Sequence, residues 1–214
     1  MPELAFTMRS MQAARFAAAP EVALELAIAA DAPVKALLLR CQVRILASQR
    51  AYAEPENARL DELFGDGPRA NRSLLWAEVS TSVGEFETET TVLLRLPVSH
   101  HVDAAIAKYL RALDGGVVPL ALLFSGSVFH VTERGALGVC PIPWSKEARF
   151  SCPRGVVQQA LELHYPESEP VSLGRSLIRR LDAFRIEQKL SGIEGAIEAL
   201  LERKAGHGRG SGLQ

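Results

Sequence analysis

The sequence has little of the chemistry that most readily reveals a function. Its 214 residues contain three cysteines, Cys41, Cys140 and Cys152, with no C-x-x-C pair among them. An odd number of thiols without paired spacing argues against a disulfide framework and for a reducing compartment. Neither sign of charge is in excess, because 24 Lys and Arg stand beside 25 Asp and Glu for a formal net charge of −1. No global field recruits nucleic acid or an anionic membrane. Aromatic residues make up 6%, few for a base-stacking surface. Long apolar runs are missing too. The uncharged stretch from Gly115 to Phe129, 15 residues, contains Gly115, Gly116, Pro119 and Gly126, too short and too broken for a membrane-spanning helix. The small residues from Ala13 to Pro20 follow no basic start and no unbroken apolar segment, since Arg9, Ser10, Gln12 and Arg15 intervene. No signal peptide is expected, and the chain reads as cytoplasmic.

Catalytic and nucleotide-binding motifs are absent as well: G-x-S-x-G, H-E-x-x-H, G-x-x-x-x-G-K-[ST] and G-x-G-x-x-G do not occur. The run Gly206-His207-Gly208-Arg209-Gly210 is glycine-rich, yet it follows no strand and opens no helix.

What is present is the composition of a folding chain, 48% hydrophobic and 23% charged, long enough to bury about 70% of its unfolded surface. Through the first hundred residues apolar positions recur with period two, the sign of strands with one face covered. Leu4 to Met8 opens the pattern. Val22, Leu24, Leu26 and Ile28 continue it, and the break at Asp31 to Pro33 suggests a hairpin with the next run. That run is the clearest, with Leu37, Leu39, Cys41, Val43 and Ile45 on one face and Arg40, Gln42 and Arg44 on the other. A helical insert led by Pro55 has Leu60, Leu63 and Phe64 as its stripe and ends at Gly65 to Pro68. Leu74 to Ser82 and Phe86 to Pro97 form a further strand pair.

The period then changes to that of a helix through Val102, Ile106, Tyr109, Leu110 and Leu113, with Asp114-Gly115-Gly116 as the stop. Val117 to Val131 and Gly135 to Pro143 read as strands joined by a turn at Thr132 to Gly135, the first apolar enough to be central. From Pro153 the chain turns helical, with Val156, Val157, Ala160, Leu161 and His164 on one face. Leu173, Leu177, Leu181 and Phe184 mark the next helix. Ile193, Ala196, Ile197, Leu200 and Leu201 mark another, behind a capping box at Ser191-Gly192-Ile193-Glu194.

Few residues invite chemistry. His100 and His101 are adjacent, so their side chains diverge, and behind Ser99 as N-cap they read as first-turn surface residues. A metal-delivery site would need them to meet Cys140 in space. Cys140 and Cys152 match no standard zinc spacing and read as structural. Ser125-Gly126-Ser127 follows an apolar strand, with His130 close by. A nucleophile elbow leads into a helix, however, whereas Val128 and Phe129 resume the strand, so Gly126 reads as a bulge or bend. Glu85, Glu87 and Glu89 make an acidic stripe that cross-strand pairs with Arg40 and Arg44 would neutralise.

The segments Ala36 to Ile45, Lys108 to Leu113, Pro119 to Gly126 and Pro143 to Ala148 together resemble an uncharacterised bacterial family, a domain of unknown function common in actinobacteria. The resemblance spans most of the chain and implies a gene neighbourhood of uptake nickel-iron hydrogenases, hence an accessory or assembly role. It implies no catalytic residues. The order of antiparallel strands, helix, Gly116 and Pro119 to Leu122 is similar to the export chaperone SecB, which implies apolar grooves, oligomers and no cofactor.

The expected fold is α+β, an antiparallel sheet or sandwich of about seven strands, SecB-like in part, with a crossover helix and a C-terminal helical hairpin. Residues 1–170 form the core, 171–204 the hairpin and 205–214 a disordered tail. The expected function is a non-enzymatic protein-binding accessory, scaffold or chaperone-like factor without cofactor, catalytic residue or metal. A protein partner, hydrogenase-related by the resemblance, or a second copy would dock on Leu173, Leu177, Leu181, Phe184, Ile193, Ile197 and Leu201. The alternative is a small-molecule-binding sandwich or small hydrolase with a pocket near Ser125, His130 and Trp144.

Overall fold

Period-two patterning leaves each strand one apolar side to bury, and the protein buries those sides between two antiparallel sheets. The computed structural model describes residues 2–65, 73–98, 104–166, 168, 171 and 173–207. Its elements run β1 (Leu4–Ala13), β2 (Glu21–Ala30), β3 (Ala36–Ile45), α1 (Glu54–Phe64), β4 (Leu74–Val83), β5 (Glu89–Pro97), α2 (Ala104–Ala112), β6 (Val117–Val131), β7 (Leu137–Pro141), β8 (Glu147–Pro153), α3 (Arg154–Glu162), α4 (Arg175–Glu187) and α5 (Gly192–His207). They fall into two compact units, Met1–Ser168 and Glu169–Gln214.

In the first unit one sheet has the order β1-β2-β5 and the other β4-β3-β6. Both β7 and β8 lie along the far edge of β6, β8 beside Val117 to Leu123 and β7 beside Ser127 to Val131. Leu24, Leu26 and Ile28 of one sheet and Leu37, Leu39 and Val43 of the other are fully buried in a common core. Phe6 of β1 stacks on Phe124 of β6 across it, ring centroids 4.1 Å apart. Each such Leu, Ile or Phe contributes about 1.5–3 kcal/mol on burial. Strand β2 is apolar on both sides for a reason. Its Ala23 and Ala27 are buried too, and α3 packs against β1 and β2 through Val157 and Ala160. Helix α2 carries the chain from the first sheet to the second, and α1, inserted between β3 and β4, packs against it.

The structure adds one strand and changes two pairings, for β4 and β5, expected as a strand pair, lie in different sheets, β4 beside β3 and β5 beside β2. About seven strands are expected from the pattern, whereas β8 is an eighth. It alternates Glu147, Arg149 and Ser151 outward with Ala148, Phe150 and Cys152 inward, but its charges follow those of the preceding turn. No hairpin joins β2 to β3. The link at Asp31 to Pro33 crosses between sheets, and β2 pairs with β1 and β5 instead. The acidic stripe is divided in the same way, Glu89 pairing with Arg9 and Glu85 with Lys35. Arg40 pairs with Glu78 of β4 at 3.4 Å, because β3 and β5 belong to different sheets. Exposed pairs of this kind contribute about 0–1 kcal/mol each.

The second unit holds α4 and α5. Helix α5 runs through His207, beyond the expected helix end at 204, and residues 208–214 lie outside the described ones. No helix among the described residues is long and apolar enough to cross a membrane.

Candidate functional site

The residues expected to bind a partner do not share one environment. Leu181 is buried, while Leu173, Phe184 and Ile193 are half-buried and Leu177, Ile197 and Leu201 are exposed. The turn between the helices explains the split. Lys189 and Gly192 both take positive φ, 56° and 74°, and Leu190 N–H donates to the Arg185 carbonyl at 2.9 Å, closing α4 in a C-terminal turn. Helix α5 then lies against the C-terminal half of α4, with Arg203 5.1 Å above the Phe184 ring and donating to Gln188 Oε1 at 2.7 Å. Buried Ala196 gives the close approach. Leu177, Ile178, Ile186, Ile197, Leu200 and Leu201 remain between 38% and 63% exposed.

The first half of α4 is basic and one row of α5 is acidic, while Asp182 and Glu187 follow later on α4 and Arg203 and Lys204 at the far end of α5. Arg175, Arg179 and Arg180 are exposed on the first half of α4. On α5, Glu194, Glu198 and Glu202 stand four residues apart on one exposed row. None of the six is in an ion pair among the described residues. Arg185 is, with Asp182 at 2.8 Å.

In the first unit, Gly126 lies within β6 with φ 134° and without a bulge. A Cβ there would fall 1.9 Å from the Leu38 carbonyl oxygen of β3, so two backbones meet where no side chain fits. Register is kept, Gly126 opposite Leu39. The outer face of this sheet carries a groove of about 540 Å³ lined by Leu38, Arg40, Ser80, Ser82 and Ser125 among others.

Ser125, His130 and Trp144 do not form the expected pocket. Ser125 opens onto that groove, and His130, five residues further along β6 and opposite Gly138, is about 16 Å away at strand rise and points to the other side. Trp144 sits in the Pro143 to Lys146 turn, 92% exposed. Cys140 is buried and its Sγ faces the Val128 carbonyl at 3.8 Å. His100 and His101 lie outside the described residues, and no group of three or more His, Cys, Asp or Glu among those described could hold a metal ion. His164 ties α3 to the β1–β2 loop, its Nδ1 3.2 Å from the Ala160 carbonyl and its Nε2 3.0 Å from that of Ala17.

A buried polar cluster emerges only from the structure. Arg50, with its side chain 10% exposed, meets Glu56, 5% exposed, at 2.7 Å. Arg50 also donates to the carbonyls of Gly115 and Val117, each at 2.7 Å. Glu56 accepts from the backbone N–H of Ala53 and Asp114 at 3.1 and 2.9 Å. Tyr52 gives its one hydroxyl proton to the Ala47 carbonyl at 2.6 Å, so the fully buried Tyr109 donates to Tyr52 at 2.8 Å. Burial pushes both phenols up. Burial also opposes ionisation of Glu56, but the two backbone N–H donors and Arg50 outweigh it and hold the carboxyl below its ordinary range. The cluster clamps the start of α1 to the loop between α2 and β6.

Residues 1–209 match a family of unknown function, DUF6084. The chain belongs to that family. No curated protein matches this DUF6084 chain. Among solved structures it is similar to beta-glucosidase 3B from Thermotoga neapolitana in complex with alpha-D-glucose, at 12% identity and a TM-score of 0.28. The same protein in complex with glycerol matches at 13% and 0.27. In each case 70% of the DUF6084 chain is covered against 17% of the other, so the chain spans about a sixth of that protein's length.

All three thiols of this DUF6084 chain are free and buried. Burial pushes Cys41 and Cys152 up to about 12, which leaves almost no thiolate at neutral pH. A disulfide exchange reagent at pH 8 is therefore expected to leave the folded protein unlabelled and to report three thiols in denaturant. Rapid labelling of the folded protein would contradict that burial.

Proposed function

We propose that this protein is a non-enzymatic protein-binding accessory whose docking element is the α4–α5 pair. One observation carries the reading: six large aliphatic side chains of two short helices stay partly exposed, and covering what remains open would contribute about 1 kcal/mol each, roughly half the value of full burial. Surfaces that combine such side chains with flanking charge suit helix-to-helix recognition. The family resemblance directs the first search toward a hydrogenase subunit or maturation factor, and a chaperone-like holding role would use the same surface.

The test is co-purification from the native host with and without Leu177→Glu plus Leu201→Glu in the full chain. A stoichiometric partner that the double variant loses, at unchanged melting temperature, is the expected result. Retention by the double variant, or no partner and no self-association in wild type, defeats the proposal.

A second reading rests on the groove over Gly126, lined by Leu38, Ser80, Ser82, Ser125 and Arg40, the last also paired with Glu78. Those groups suit a small polar or anionic ligand. Saturable binding lost in Arg40→Ala would favour this reading over the first.

A further inference from the structure

From the charges of the second unit we propose that the docking partner of α4 and α5 is a second copy of this chain, held as a two-fold dimer by the basic first half of α4 against the acidic row of α5. The proposal rests on the reading of the helix pair as a docking element and names what docks there.

Three observations lead to it. The unit Glu169–Gln214 is well under the length, roughly 70–80 residues, at which one hydrophobic core supplies useful stability by itself. It has no cysteine to staple it, since all three lie in the first unit. Small units of this kind are completed by association.

The second observation is geometric. Because α5 rests on the C-terminal half of α4 through Arg203, Phe184 and Gln188, the first half of α4 stays open, with Leu177 and Ile178 exposed among Arg175, Arg179 and Arg180. Helix α5 shows the opposite combination, exposed Ile197 and Leu201 beside Glu194, Glu198 and Glu202. An apolar surface edged in positive charge and one edged in negative charge stand on the same unit, which is the requirement for an isologous contact.

The third observation concerns cost. Arg175 occupies the first turn of α4, where the helix dipole disfavours a cation. A glutamate row from another copy offsets that penalty, whereas neutral or basic partners leave it standing.

Light scattering on the purified full chain is expected to give twice 23.2 kDa at micromolar concentration. The triple reversals E194R/E198R/E202R and R175E/R179E/R180E should each weaken the dimer roughly 100-fold at low salt, by setting like charges against each other. An equimolar mixture of the two should restore a 1:1 heterodimer, since each then meets its opposite. The conservative E194Q/E198Q/E202Q variant retains side-chain size and helix propensity and should show a smaller weakening.

A monomeric wild type overturns the proposal, as does a dimer that none of these variants weakens. If wild type is monomeric but captures a different protein that Leu177→Glu plus Leu201→Glu releases, self-association fails while the docking role survives.

Discussion

Gly126→Ala is expected to remove a large part of the stability of the sandwich. Its Cβ would stand 1.9 Å from the Leu38 carbonyl oxygen and 3.0 Å from the Leu38 carbonyl carbon. Neither neighbour is a movable side-chain end, for both belong to the backbone of central strand β3. The residue also holds φ 134°, a conformation that side chains other than glycine's rarely adopt. Backbone strain of about 1–3 kcal/mol and overpacking of about 1–3 kcal/mol therefore add, against total stabilities of roughly 5–15 kcal/mol. Relief would need β6 to leave β3, and with it β7 and β8. Expression of Gly126→Ala in inclusion bodies, or a melting midpoint lowered by more than 10 °C, is the expected outcome. Gly155→Ala is the control, with nothing within 4 Å of its Cβ position. If Gly126→Ala melts like wild type, the close approach of the two backbones is wrong.

Glu56→Gln should cost far more stability than neutralising any exposed ion pair described in the first unit. It leaves Arg50 buried without its counter-charge, and breaking such a pair costs about 3–5 kcal/mol. For a domain of this size that lowers the melting midpoint by roughly 6–20 °C. Glu78→Gln removes the exposed partner of Arg40 and should cost under about 1 kcal/mol. The pH dependence has a definite sign. Because Glu56 is held below its ordinary value of 4.5 in the folded state, its contribution is present above that value and disappears as pH falls through the lower folded-state value. Wild type should lose stability across that acid window, and Glu56→Gln should lose less. Equal slopes for the two proteins would place the acid sensitivity elsewhere.

The elements most readable in the chain are those where one physical requirement acts alone. Leu37, Leu39, Cys41, Val43 and Ile45 must share a face, and they do. The apolar run of β6 reads as a central strand, and it is one, with β3 along one edge and β7 and β8 along the other. Alternation says which way a side chain points, however, and nothing about which strand lies beside it. So β2 and β3, adjacent in sequence, read as a hairpin although they lie in different sheets. Arg50 and Glu56 were hidden for another reason, since charged residues read as solvated until a fold closes over them. In the helix pair the apolar stripe is plain in the sequence, but Leu181 at one end of exposure and Leu201 at the other carry the same periodic signal. Only the way α5 crosses α4 separates them.

The arrangement of the two sheets also sets an order of events during synthesis. Val22 waits for Leu96 and Leu37 for Val128, so strands made early depend on strands made late. Such high contact order slows folding. Until β6 leaves the ribosome, one edge of β3 offers its backbone groups to any extended chain nearby. A ribosome stalled before β6 would therefore display an adhesive half-sandwich; β6 covers that edge, and β7 and β8 then cover the far edge of β6.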